Sequence, residues 1–176
     1  MARRLVKVMV ILAFALNICF CSQAEDKIAQ VSSNPNPKTG LLTRYTLTLD
    51  LAKKIADACV NKAKELGISV GIVVLDGVGN VKLSYLMDNQ SVLSLSWAQA
   101  KALSSFEFKQ PTSKGEFRVW NITNKTMVLG VAGGYPLILN DDVLGAVGIS
   151  GSKGNSDDKI ALAGVEAFNQ IMSQRK

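Results

Sequence analysis

Apolar and polar positions along this chain follow two periods, and the switches between them lay out its elements. Over residues 49–66 apolar side chains recur every three or four positions as Leu51, Ile55, Cys59, Ala63 and Leu66, the stripe of an amphipathic helix. Thr48 is placed as its N-cap, Asp50 lies in its first turn, and Gly67 follows as a C-terminal stop. Residues 68–75 and 81–87 then read as strands. In the second, Val81, Leu83 and Tyr85 alternate with Lys82 and Ser84. The short turn Asp76-Gly77-Val78-Gly79-Asn80 between them predicts an antiparallel hairpin.

Residues 91–106 predict a second helix, alanine-rich and apolar around much of its circumference. Its polar stripe is narrow: Ser94, Lys101 and Ser105, with Trp97 and Ser104 at neighbouring steps. Such a helix is expected to be buried on several sides and to face a pocket or another subunit. Residues 108–128 read as irregular, with a short helix after Pro111-Thr112. Next comes GGYPLILNDDVLGAVGISGSKG, residues 133–154. Two apolar runs flank the acidic turn Asp141-Asp142, predicting a hairpin over 135–150 that leads into a glycine-rich loop. Residues 157–173 form the last predicted helix, with Ile160, Gly164, Ala167, Phe168 and Ile171 inward and Ser156 as cap. The order helix, two strands, helix, two strands, helix predicts one α/β domain of the α+β kind, an antiparallel sheet with helices packed on it.

Ahead of this domain the pattern changes. Arg3, Arg4 and Lys7 precede an apolar run over 8–20, and Ser22-Gln23-Ala24 supplies small residues for a signal peptidase. Residues 1–24 are read as a signal peptide cleaved after Ala24, too short in its apolar run for a comfortable membrane span. Residues 25–41, with Ser32-Ser33-Asn34-Pro35-Asn36-Pro37, form a polar tether, and the domain is expected over 42–176. The protein is therefore expected in the periplasm or secreted. Cleavage removes three positive charges and no acidic residue, so the formal charge of +6 falls to +3. With no basic cluster, nucleic acid is not an expected partner. Cys19 and Cys21 leave with the signal, and Cys59 alone makes no internal disulfide.

The chain has no histidine. That excludes Ser-His-Asp and Cys-His machinery and histidine-ligated metals. Gly151, Ser152, Lys153, Gly154 and Asn155 lie just before a helix N-terminus, where free N–H groups and the helix dipole favour an anion. Two readings stay open there: an anion site, or a loop that turns the chain, with Asp157 and Asp158 competing for the same donors. The adjacent Asp141 and Asp142 are read as a solvated turn.

Several segments together resemble the GlcG/HbpS-like family of haem-binding and haem-associated proteins. Val73-Val74-Leu75-Asp76-Gly77-Val78-Gly79 is similar to the family's first strand and turn. Residues 101–112, from Lys101-Ala102-Leu103-Ser104 to Phe108-Lys109-Gln110-Pro111-Thr112, are similar to its lysine-alanine helix. Gly133-Gly134-Tyr135-Pro136-Leu137 and residues 145–151 match it best. The resemblance spans about residues 47–168. It implies a five-stranded antiparallel sheet, a tendency to form a homo-oligomer, and haem as cofactor; catalysis by the chain itself is the least supported class. Ser104 stands where the family has threonine, and Asp141-Asp142 where relatives commonly carry glycine.

Haem iron accepts tyrosine or methionine as well as histidine. Tyr45, Tyr85, Tyr135, Met87 and Met127 are the available ligands in the domain, and Tyr135, in the Gly-Gly-Tyr-Pro turn, is the one selected. Under the same implication Lys101 pairs with a propionate, Ser104 replaces the family threonine, and Trp97 and Phe108 pack on the macrocycle. The bland alternatives are core or subunit packing for the aromatics and a solvated or interface-paired Lys101.

Overall fold

The computed structural model describes residues 44–115, 120–123, 126–153 and 155–174. The expected signal peptide, the expected tether and the first two residues of the expected domain, residues 1–43, lie outside them, as does Gly154. Three helices enclose a sheet. Helix α1 is Leu49–Glu65, β1 Gly71–Leu75, β2 Val81–Leu86 and α2 Val92–Phe108. A 3-10 turn at Thr112–Lys114 follows, then β3 Trp120–Thr123, β4 Thr126–Val128, β5 Gly134–Leu139, β6 Asp142–Ser150 and α3 Ser156–Ser173.

Helix α1 forms where its caps and stripe place it. Thr48 Oγ1 accepts a hydrogen bond from the Leu51 amide at 3.2 Å, which satisfies one of the donors a helix start leaves unpaired. Gly67, at φ +66°, ends it. Leu51, Ile55, Cys59 and Ala63 are buried, but Leu66 falls past the helix end and is exposed.

The sheet is antiparallel with strand order β2-β1-β6-β5. The central strand β1 is buried along its whole length and pairs Ile72 with Tyr85 on one side and with Ile149 on the other. One face packs on α1 and α3 through Ile55, Ile72, Val74, Val147, Ile149 and Phe168. The other packs on α2 through Val73, Leu75, Ala98, Ala102 and Ala146. Small residues let α2 lie close: a Cβ on Gly148 would collide with the Ala98 carbonyl and with Ala102.

The sheet has four strands, which corrects the expected five. Strand β5 is an edge, and Pro136 within it offers no amide donor to a further neighbour. Strands β3 and β4 pair only with each other, as a separate two-stranded ribbon with an irregular register. This ribbon also corrects the reading of 108–128 as irregular throughout, while the short helix after Pro111 is present. At the start of α3 the cap position belongs to Asn155 rather than Ser156.

Helix α2 inverts the expected polarity. Ser94, Lys101, Ser104 and Ser105 are buried, whereas Val92, Leu93 and Trp97 are 69%, 62% and 40% exposed. The serines tolerate burial because each is hydrogen-bonded: Ser94 Oγ donates to Gln90 Oε1 at 2.7 Å, and the other two donate to the backbone. Ser104 Oγ donates to Ala100 O at 2.7 Å and Ser105 Oγ to Ala102 O at 2.9 Å. Among the described residues, no helix is long and apolar enough to cross a membrane.

Candidate functional site

The residues singled out in the sequence converge only in part, around the junction of α2, the start of β5 and the start of α3. Lys101 is 2% exposed. Its ammonium donates to Asp157 Oδ2 at 2.7 Å and to Ile149 O at 2.9 Å. The expectation of a solvated or interface-paired lysine is thereby corrected: its partner is a carboxylate of its own chain. Gly133 gives the side chain room, and Gly134 lets the backbone of α2 come close. A Cβ on Gly133 would stand 3.2 Å from Lys101 Nζ, and one on Gly134 would meet the Lys101 carbonyl. The Gly-Gly pair of the Gly-Gly-Tyr-Pro motif is thus a channel for Lys101 between the α2 layer and α3.

The same junction is hydrogen-bonded throughout. Asp158 Oδ1 accepts from the Gly133 amide at 2.7 Å. Thr112 Oγ1 accepts from the Gly134 amide at 2.9 Å and donates to Val131 O at 2.7 Å. Asp157 Oδ1 accepts from both the amide and the hydroxyl of Ser152. Of the donors on the glycine-rich loop, the Ser152 amide and hydroxyl are therefore engaged by the helix's own carboxylate. Gly151, Ser152 and Lys153 lie in a bend and Asn155 in a turn ahead of α3, and Gly154 lies outside the described residues.

Ser104 is fully buried, and besides its own helix it binds the Leu129 amide at 2.7 Å. It fastens the segment after β4 to α2 and has no hydroxyl capacity directed at a cofactor. Tyr135 is half-buried on the face of the sheet covered by α1 and α3. Trp97 and Phe108 are exposed on α2, which covers the opposite face. These three aromatics do not line one pocket.

The tyrosine's own surroundings matter for iron. Burial first, and then the Asp158 carboxylate, push the Tyr135 phenol above its ordinary range, although Ser113 hydrogen-bonds to it. Burial and Asp57 raise Tyr85 in the same way. Both environments favour the protonated phenol over the phenolate that binds iron. The residues first assigned to haem thus do not come together as one site: Lys101 is paired with Asp157, Ser104 binds backbone, and Tyr135 lies across the sheet from Trp97 and Phe108. Met87 packs against the core, and nothing is described of the Met127 side chain. Among the described residues, no cluster of three or more His, Cys, Asp or Glu could hold a metal ion.

The pairing of Lys101 with Asp157 escaped the sequence because the two are 56 positions apart. The adjacent glycines were the one signal available, since a paired Gly-Gly marks a close approach.

Comparison with known proteins places this geometry. The family described as "Haem degrading protein HbpS-like" matches residues 47–166. A Citrobacter freundii protein, the uncharacterized 15.0 kDa protein of the dhaT-dhaS intergenic region, is 33% identical over 134 residues, 72% of this chain and 94% of the relative. The crystal structure of Klebsiella pneumoniae protein ORFY is 32% identical and superposes with a TM-score of 0.63 over 70% of this chain and 91% of that one. The crystal structure of a PduOC:heme complex shares the fold, with 22% identity and a TM-score of 0.60 over 69% of this chain and 94% of that one. The match over the sheet and all but the end of α3, together with the shared single-domain architecture, makes this chain a member of the HbpS-like family.

Proposed function

We propose that this protein is an exported haem-binding member of its family that captures haem, without catalysis of its own, as a homo-oligomer in the periplasm or outside the cell. Family membership and the haem complex of the PduOC structure support haem as the ligand class. The structural observation that favours it is the exposed apolar face of α2, where Leu93 and Trp97 stand one helical turn apart beside Val92. An apolar face of this kind suits a flat macrocycle or a second subunit, and solvent-exposed apolar patches mark such sites. Lys101 and Ser104 take no part in this binding.

A hemin titration followed by absorbance tests the reading. Saturable Soret changes that weaken in Trp97→Ala and persist in Tyr135→Phe are expected. A linear, unsaturable response would end the haem reading. Export is tested separately by the intact mass of the secreted product, expected to begin at Glu25; an uncleaved chain retained in the cytoplasm would refute it.

A further inference from the structure

Apart from the Lys101 junction, a cleft of about 410 Å³ opens between the segment before α1, the end of α2 and the β5–β6 turn. Its volume lies in the range of small-molecule sites. Tyr45, Phe106, Val143 and Leu144 give it apolar walls. Five charged residues also line it: Arg44 and Lys109, and opposite in sign Glu107, Asp141 and Asp142. Among the described residues, none of the five takes part in an ion pair. Charges of both signs that border one cavity without pairing remain available to a ligand carrying both.

The backbone places these groups at some expense. Lys109 has φ +54° and Asp141 φ +68°, left-handed conformations that glycine adopts freely and other residues avoid. At the tip of the hairpin, where two successive positive φ angles favour Asn-Gly, the chain carries Asn140-Asp141. A carboxylate therefore stands at the cleft where glycine would be the relaxed choice, as happens where backbone strain serves a site. The opposite wall is fixed as well: the Gly77 amide donates to Thr46 Oγ1 at 3.1 Å, tying the segment of Arg44 and Tyr45 to the β1–β2 turn.

The geometry points to a binding site for a small zwitterion with an apolar body, of amino-acid size, its carboxylate taken by Arg44 or Lys109 and its ammonium by the acidic turn. Haem does not suit this cleft, because three carboxylates would oppose its propionates.

The test is isothermal titration of the purified protein with L-phenylalanine, phenylacetate and phenethylamine, which share one body and differ only in charge. L-Phenylalanine is expected to bind at least tenfold more tightly than either singly charged probe. Asp142→Asn and Arg44→Gln, both at the surface, are each expected to weaken it about tenfold, as loss of one charge-assisted hydrogen bond does. Absence of binding by L-phenylalanine, equal binding of the three probes, or unchanged affinity in both variants would overturn the assignment. Circular dichroism of the variants separates loss of the site from loss of the fold.

Discussion

Lys101 Nζ lies 2.7 Å from Asp157 Oδ2, with both side chains almost wholly out of solvent, and this pair joins the helix on one face of the sheet to the start of the helix on the other. A buried pair is costly to assemble and more costly to break, since removing one partner strands the other charge. Lys101→Met is expected to lower stability by about 3–5 kcal/mol in urea unfolding. Lys101→Met combined with Asp157→Leu should recover part of that loss. A double variant as unstable as the sum of the single ones would show that the two residues act independently.

Gly148 faces α2 with no space for a side chain. Gly148→Ala forces either the Ala98 carbonyl or the whole helix to move, and overpacking of this kind costs about 1–3 kcal/mol or more. Thermal unfolding should show the loss, whereas Gly67→Asn, at the open end of α1, meets no atom and should cost less than about 1 kcal/mol, the strain of its positive φ alone.

Burial pushes the Cys59 thiol from 9.0 up to about 12. Below pH 9 both folded and unfolded chains keep the proton, and the group adds no pH dependence. Between pH 9 and 12 the unfolded chain releases it while the folded chain holds it. Stability therefore falls with rising pH across that window, with a slope of up to about 1.4 kcal/mol per unit. Cys59→Ala should flatten this slope. At pH 8 the folded protein should react with a thiol reagent only as fast as it opens.

The Thr48 cap should contribute about 1 kcal/mol, lost in Thr48→Ala and retained in Thr48→Ser. Chemical denaturation of the three proteins checks this.

The proposed oligomer depends on the outer face of α2. Leu93→Lys with Trp97→Lys should shift the protein to a monomer in light scattering without lowering the stability of the monomer fold, because both residues are already exposed. A large assembly that survives both changes would place the interface elsewhere.

Much of the fold was legible in the sequence because local and global signals agree there. The Leu51–Ile55–Cys59–Ala63 stripe, with Thr48 before it and Gly67 after it, specifies α1 without help from elsewhere. The two hairpins of the main sheet were equally legible, through alternation and turn chemistry. Helix α2 was legible as a helix but not in its orientation, because Ser104 and Ser105 satisfy themselves on their own helix while Val92, Leu93 and Trp97 point outward. A rule that sends polar residues to solvent reverses the helix. The candidate site failed for a related reason. Lys101 was read as solvated, or paired with a propionate or across an interface, because nothing in its neighbourhood along the chain announces a carboxylate 56 positions on. Kinship supplied the family and one strand too many, since the ribbon β3–β4 pairs with itself and leaves β5 at the rim.

The rim has a consequence for how copies of this chain can meet. An uncovered strand invites the backbone of another molecule, and chains that allow this polymerise. Here Pro136 interrupts the donor row on one border, and Lys82 places a charge on the other. Sheet-to-sheet growth into fibres is thus discouraged on both borders, and self-recognition is steered to the helical surface, where contacts between side chains can close into a finite particle.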